Sequence, residues 1–186
     1  MQRRYAIKQI ALLIGGVSIA PDILARALAK GDETLFNIPT ERLNLLAEMA
    51  ETILPETDTP GAKAAKVQEY IAIIVEECFP PEKKEAFWRD LDHADAQCKT
   101  MHGRSFVDCD TVQRTAFFNK LQDEIRDNPA FSQAPSFFTT LKDLTLNGYF
   151  TSEIGATQAL AFDPIPGGWI ADMEIDENTK AWTPMF

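Results

Sequence analysis

Residues 40–55 read TERLNLLAEMAETILP, and the spacing of apolar residues in this stretch decides the fold class. Leu43, Leu46, Ala50, Ile53 and Leu54 recur at the 3.6-residue period of one buried helical stripe. Thr40 is placed to cap the helix at its start. Pro55 has no backbone N–H to continue the ladder and ends it near Leu54.

The same pattern repeats down the chain. Residues 62–78 read as a second helix with Val67, Tyr70, Ile71, Ile74 and Cys78 on one face. Pro80 and Pro81 break the chain, and Pro81 suits the first turn of a third helix, to about residue 101, that buries Phe87, Leu91, Ala94 and Cys98. Asp110 and Gln113 have capping-box spacing at the head of a fourth helix, whose apolar face is Phe117, Phe118, Leu121 and Ile125. Asn128-Pro129 ends it. A fifth helix over residues 135–147 carries Phe137, Phe138, Leu141 and Leu144, with Gly148 as its expected stop. No long alternating stretch and no internal repeat is present. The expectation is an all-α, compact multi-helix domain with about five main helices.

With 186 residues the chain suits one domain. A hydrophobic share of 45% excludes a disordered chain, and the net charge of −10 repels phosphate backbones, which argues against nucleic acid as a partner.

The first residues read differently from the body. Arg3, Arg4 and Lys8 make a basic start with no acid before Asp22, and residues 9–21 are uncharged. That run is shorter than the roughly 20 apolar residues a membrane-crossing helix needs, and it fits the roughly 7–15 of a signal-peptide core. Paired arginines followed by Ile7 and Lys8 resemble a twin-arginine export signal. The resemblance implies that residues 1–29 are a signal segment recognised by the twin-arginine translocase, that residues 30–186 are the folded domain, and that the protein works in the periplasm or cell envelope. The segment is either cut near residues 27–29 or retained as an attachment to the membrane. An amphipathic first helix packed on the body is the plainer alternative.

Residues 149–186 combine Pro164, Pro166, Gly167, Gly168 and Pro184 with Tyr149, Phe150, Phe162, Trp169, Trp182 and Phe186. This segment is too aromatic for disorder and too broken for a long helix. It is expected to wrap a surface, either of its own domain or of a partner.

Few residues suggest chemistry. His93, Cys98, His102 and Cys109 are zinc-type ligands, but their spacing matches no zinc module, and a buried cysteine with surface histidines explains them more simply. No metal site is expected. Cys98 and Cys109 flank a connector and are candidates for a disulfide in an oxidising compartment. There is no nucleophile elbow, phosphate loop, dinucleotide fingerprint or haem-attachment motif, so catalytic residues are expected to be none.

Two stretches remain. One is Leu45-Ala47-Glu48 running into Ile53-Leu54-Pro55 and Thr57-Asp58-Thr59-Pro60-Gly61-Ala62. The other is Gly148-Tyr149-Phe150-Thr151-Ser152-Glu153-Ile154-Gly155, followed by Asp163-Pro164-Ile165-Pro166-Gly167-Gly168-Trp169. Together with the arginine pair they resemble the gluconate 2-dehydrogenase subunit 3 family, over about residues 40–175. The resemblance implies a non-catalytic small subunit of a membrane-associated dehydrogenase acting on sugars or polyols. It further implies a large partner subunit that holds FAD, often a cytochrome c subunit, and no cofactor in this chain. Arg3, Arg4 and Lys8 would carry the export signal for that partner. Pro55, Thr57, Asp58, Pro60, Gly61, Tyr149, Phe150, Glu153 and Trp169 would belong to the partner-binding surface. The competing reading is a stand-alone helical binding module of the cell envelope. A metal-dependent hydrolase using His93, Cys98 and His102 is a third.

Overall fold

The computed structural model describes residues 38–127, 136–163, 165, 167–168, 172 and 174–183. The arginine signal, the boundary near residue 29 and Trp169 lie outside the described residues. Five helices account for most of the rest: α1 Thr40–Ile53, α2 Val67–Cys78, α3 Pro81–His102, α4 Thr111–Asp127 and α5 Phe137–Phe150. A 3₁₀ turn, Phe106–Asp108, joins α3 to α4, and a π-type turn, Gly155–Ala159, follows α5. Among the described residues the only β-type pairing is an isolated bridge between Ala161 and Trp182. The domain is all-α.

Helix α1 is the hub and packs against all four other helices and the 3₁₀ turn. That position changes its buried face. Leu45, Leu46, Ala47, Met49 and Ala50 are the buried residues, whereas Leu43, Ile53 and Leu54 lie partly buried at the edge of the core. A helix covered from several sides buries more than one stripe, and a periodicity argument that assumes one stripe misses Leu45 and Met49. Full burial of a side chain such as Leu46 or Met49 is worth about 1.5–3 kcal/mol, so this hub supplies much of the core.

Local signals at the helix ends fare unevenly. Thr40 is the first helical residue rather than the cap; the cap is Pro39, with no side-chain bond. Helix α2 begins at Val67, five residues later than periodicity suggests, because residues 62–66 form a turn that ends with Lys66 in the left-handed region (φ 54°). Cys78, expected on the buried face of α2, is exposed at the last turn. Helix α3 follows expectation, with Pro81 in its first turn, Gly103 as a left-handed terminator (φ 74°) and Phe87, Leu91, Ala94 and Cys98 buried. The capping box of α4 forms in both directions: Gln113 N–H donates to Asp110 Oδ1 (2.8 Å) and Asp110 N–H to Gln113 Oε1 (3.2 Å).

Phenylalanines join α4 and α5 to the 3₁₀ turn and to α3. Phe106 in the 3₁₀ turn stacks on Phe118 with centroids 5.2 Å apart, and Phe118 meets Phe138 at 5.1 Å. Phe137 packs on Phe87 of α3 at 5.4 Å. These pairs hold three helices together around one aromatic seam.

Polar contacts fix the corners. Glu48 of α1 accepts from Lys63 Nζ and Arg114 Nη1, both at 2.6 Å. Arg114 also donates to the carbonyl oxygens of Phe106 (3.1 Å) and Val107 (2.7 Å). Burial would raise the Glu48 carboxyl, but the hydrogen bonds and charges of Lys63 and Arg114 outweigh it and hold the group below its ordinary value near 4.5. The Asp95 carboxyl is likewise lowered despite burial, by hydrogen bonds from Lys99, the Ser105 hydroxyl and the Phe106 N–H.

Arg114→Ala removes three bonds at once and leaves Glu48 with one cation, so it is expected to cost about 2–3 kcal/mol in urea unfolding. A depressed carboxyl contributes stability above its ordinary value, and that stability is lost as pH falls through the folded-state value. Unfolding titrations between about pH 3 and 6 are therefore expected to show a steeper acid loss for the natural chain than for Glu48→Gln. Parallel curves would remove Glu48 from the acid response.

Candidate partner-binding surface

The loop after α1 is shaped from below by one carboxylate. Glu51 in the last turn of α1 accepts from the Glu56 N–H at Oε1 (3.0 Å) and from the Lys63 N–H at Oε2 (2.8 Å), so it holds both sides of the loop. Ala62 N–H closes the base on the Leu54 carbonyl (2.9 Å). Gly61 is buried against the Glu51 carboxylate, where a Cβ would collide with both oxygens. The glycine is there because the carboxylate is. Pro55, Thr57 and Asp58 are exposed, and Pro60 is half-buried.

The second stretch meets this loop directly. Tyr149 is buried, and its hydroxyl donates to the Pro60 carbonyl (2.7 Å) and lies 3.3 Å from Thr59 Oγ1. Two segments about ninety positions apart thus form one unit. Gly148 does not stop α5, which runs on to Phe150. It lies inside the helix because an added Cβ would stand 2.6 Å from the Tyr70 ring of α2. Its role is close helix approach rather than termination. Phe150 is half-buried and edge-on to Tyr149 at 5.2 Å.

Beyond α5 the chain folds back on itself. Ser152 Oγ donates to the Tyr149 carbonyl (2.6 Å) and accepts from the Gly155 N–H (3.0 Å). A side chain at Gly155 would strike the Tyr149 carbonyl. Ser152 thus caps this turn, and the Glu153 side chain is exposed.

The tail is then pinned to that turn by its backbone. Ala161 N–H donates to the Ala181 carbonyl (2.8 Å) and Thr183 N–H to the Ala161 carbonyl (2.9 Å). Thr183 Oγ1 reaches the Ala156 carbonyl (2.8 Å), and Lys180 Nζ the Gln158 carbonyl. Its described large apolar groups, however, are mostly not spent on the core. Phe162 is 53% exposed, Trp182 56%, Ile175 79% and Ile165 84%. Where such exposed apolar side chains adjoin one another, they mark a candidate interaction site.

The residues proposed from sequence therefore divide in two. Gly61 and Tyr149 are internal supports; Pro55, Thr57, Asp58 and Glu153 form the outer surface above them. Glu51 was not singled out by sequence reasoning. Its signal is an acid at a helix end followed by a loop whose N–H groups need acceptors. Ile175 was missed as well, because an isolated aliphatic residue among acids carries no periodicity.

The ligand-type residues are not gathered. His93 is exposed and bonds with Gln97 (3.2 Å), while Cys98 points into the core. Among the described residues no group of three or more His, Cys, Asp or Glu side chains is arranged to hold a metal ion. Cys98 and Cys109 are unbonded thiols with their sulfurs 3.6 Å apart. No described helix is long and apolar enough to cross a membrane. An open groove of about 360 Å³ lies between α3, α4 and the start of α5, lined by His93, Ala94, Leu121, Ile125, Phe137 and Phe138.

The family model described as Gluconate 2-dehydrogenase subunit 3 matches residues 40–167, more than half of the chain. The matched region takes in the loop, α5 and the fold-back turn. No curated protein and no solved structure matches the chain.

Two substitutions test the internal supports. Tyr149→Phe leaves the Pro60 carbonyl without its donor and is expected to cost about 1–2 kcal/mol, with faster hydrogen exchange confined to residues 55–62. Gly148→Ala gains about 1 kcal/mol of helix propensity but presses a methyl onto Tyr70, at about 1–3 kcal/mol. The net expectation is a lower melting temperature; a raised one would mean that the ring slides aside.

Proposed function

This chain belongs to the gluconate 2-dehydrogenase subunit 3 family, and we propose that it is the non-catalytic escort of an FAD-dependent flavoprotein that oxidises sugars or polyols. It binds the flavoprotein, supports its maturation and supplies, through Arg3, Arg4 and Lys8, the signal read by the twin-arginine translocase. The complex then works in the periplasm, held to the envelope through its partners or a retained leader, and a cytochrome c subunit accepts the electrons.

The observation that carries this reading is the tail. Phe162, Ile165, Ile175 and Trp182 are exposed on a backbone tied to the turn after α5. That turn is in turn tied to the loop after α1 through Ser152 and Tyr149. These links hold the chain at Ala161 and at Ala181–Thr183, next to Phe162 and Trp182, so those two aromatic groups are presented side by side with the turn. Preorganisation lowers the ordering cost of binding, and aromatic anchors dominate interface energies. The exposed Asp58 and Glu153 would sit at the polar rim of such a contact.

Co-expression with the flavoprotein subunit tests the contact. Phe162→Ser with Trp182→Ser is expected to lower recovery of the flavoprotein at least about tenfold, with an unchanged helical circular-dichroism spectrum. Undiminished recovery would place the contact elsewhere. Arg3→Lys with Arg4→Lys separates escort from binding: the flavoprotein should still co-purify but remain in the cytoplasm. Normal export of the flavoprotein would end the escort role. A partner-free chain from the native envelope would favour the binding-module reading, for which the apolar groove beside His93 is a candidate cavity.

A further inference from the structure

We propose that Cys98 and Cys109 close into a disulfide on the already folded domain, clipping the α3–α4 connector to α3 and leaving Cys78 as the free thiol. The two sulfurs face each other across a buried gap of 3.6 Å, eleven positions apart in sequence. A disulfide bond is about 2.05 Å long, so closure asks for a shift of about 1.5 Å shared between two side chains. Cys78 is exposed at the end of α2 and belongs to neither side of this contact.

The connector is already in place before any bond forms. Asp95 Oδ1 accepts from the Ser105 hydroxyl (2.7 Å) and the Phe106 N–H (2.8 Å). Arg114 holds the carbonyls of Phe106 and Val107, and Phe106 is fully buried. Cys109 follows directly, with its N–H on the Phe106 carbonyl (3.2 Å). Closure therefore adds a covalent tie to an ordered corner and needs no new fold. It constrains the unfolded chain far more than the folded one, which is how a disulfide stabilises.

The chemistry needs an oxidant, and a glutathione or protein disulfide is of the right class. Cys109 is the more accessible residue of the pair, 5% exposed against 0% for Cys98. Its thiolate attacks one sulfur of the oxidant, breaking that S–S bond and releasing one oxidant thiol. The Cys98 sulfur then attacks Cys109 Sγ, forming the internal bond and expelling the second oxidant thiol. Two electrons pass to the oxidant, and the two cysteine protons end on its sulfurs. Burial, with the hydrogen bond and charge of Cys109, pushes the Cys98 thiol up to about 12, which makes Cys98 the poorer first nucleophile.

The inference rests on the geometry of this corner and not on the export reading, so its test uses purified full-length chain. The folded, reduced protein is incubated with an oxidised-glutathione-rich buffer, quenched in acid, unfolded and alkylated. Mass spectrometry is expected to find one alkyl group, on Cys78, and a linked peptide pair containing Cys98 and Cys109. The oxidised form should melt roughly 6–12 °C higher than the reduced form, and dithiothreitol should reverse the shift. Three alkylated cysteines, a link through Cys78 or a persistent glutathione adduct would overturn the proposal. So would a closed pair with an unchanged melting temperature.

Discussion

The bond on which the rest of the domain depends is Glu48 held between Lys63 and Arg114. Glu48 stands on the helix that every other helix touches, Lys63 lies just past the loop after α1, and Arg114 starts the second half of the domain. One carboxylate therefore ties the hub to both of its outlying corners. Each partly buried charge is costly to bring out of water, and such a pair is worth keeping only when its remaining donors and acceptors are satisfied. Arg114 meets that condition with two carbonyl oxygens and the face of Phe106, 5.5 Å from its guanidinium carbon.

Glu51, one turn further along α1, does for the loop what Glu48 does for the corner. Side by side they make the end of α1 a polar scaffold on which the turn-rich segment is assembled. Tyr149 then locks that segment from the opposite side. The family elements are in this sense architectural: Gly61, Gly148, Gly155 and Tyr149 exist for close approach and hydrogen bonding. The outward residues between them are what a partner would meet. A family shared over residues 40–167 of a dehydrogenase subunit agrees with a chain whose distinctive residues build a surface.

The tail and the corner illustrate two different uses of sparse side chains. Among the described residues of the tail, four large apolar groups are left in water, two of them beside the backbone bonds that pin Ala161 to Ala181 and Thr183. At the corner, two small thiols are buried face to face where nothing polar needs them. Neither arrangement adds to the core in proportion to the residues spent on it, and both are best understood through what can be added to them: a partner surface in one case, a covalent bond in the other.

Local rules were sufficient for most features that depend on neighbours within a few residues, the cap expected at Thr40 being an exception. The five helices, the proline breaks, the Asp110–Gln113 box and the buried face of α3 were all legible in the sequence, because helical period and capping are local properties. The same reasoning misread Gly148 as a stop, placed the start of α2 five residues early and assigned α1 a single stripe. Each of those is decided by a distant neighbour: the Tyr70 ring, the loop anchored by Glu51 and the helices that surround the hub. The family elements were visible as unusual residue strings, but their meeting was not. Tyr149 finds Pro60 across 89 positions and Arg114 finds Glu48 across 66. By itself the sequence determined an all-helical chain and the residues worth watching. Only the tertiary structure decided which of them support the surface from within and which face outward, because burial and hydrogen bonding between distant segments are set by packing and not by period.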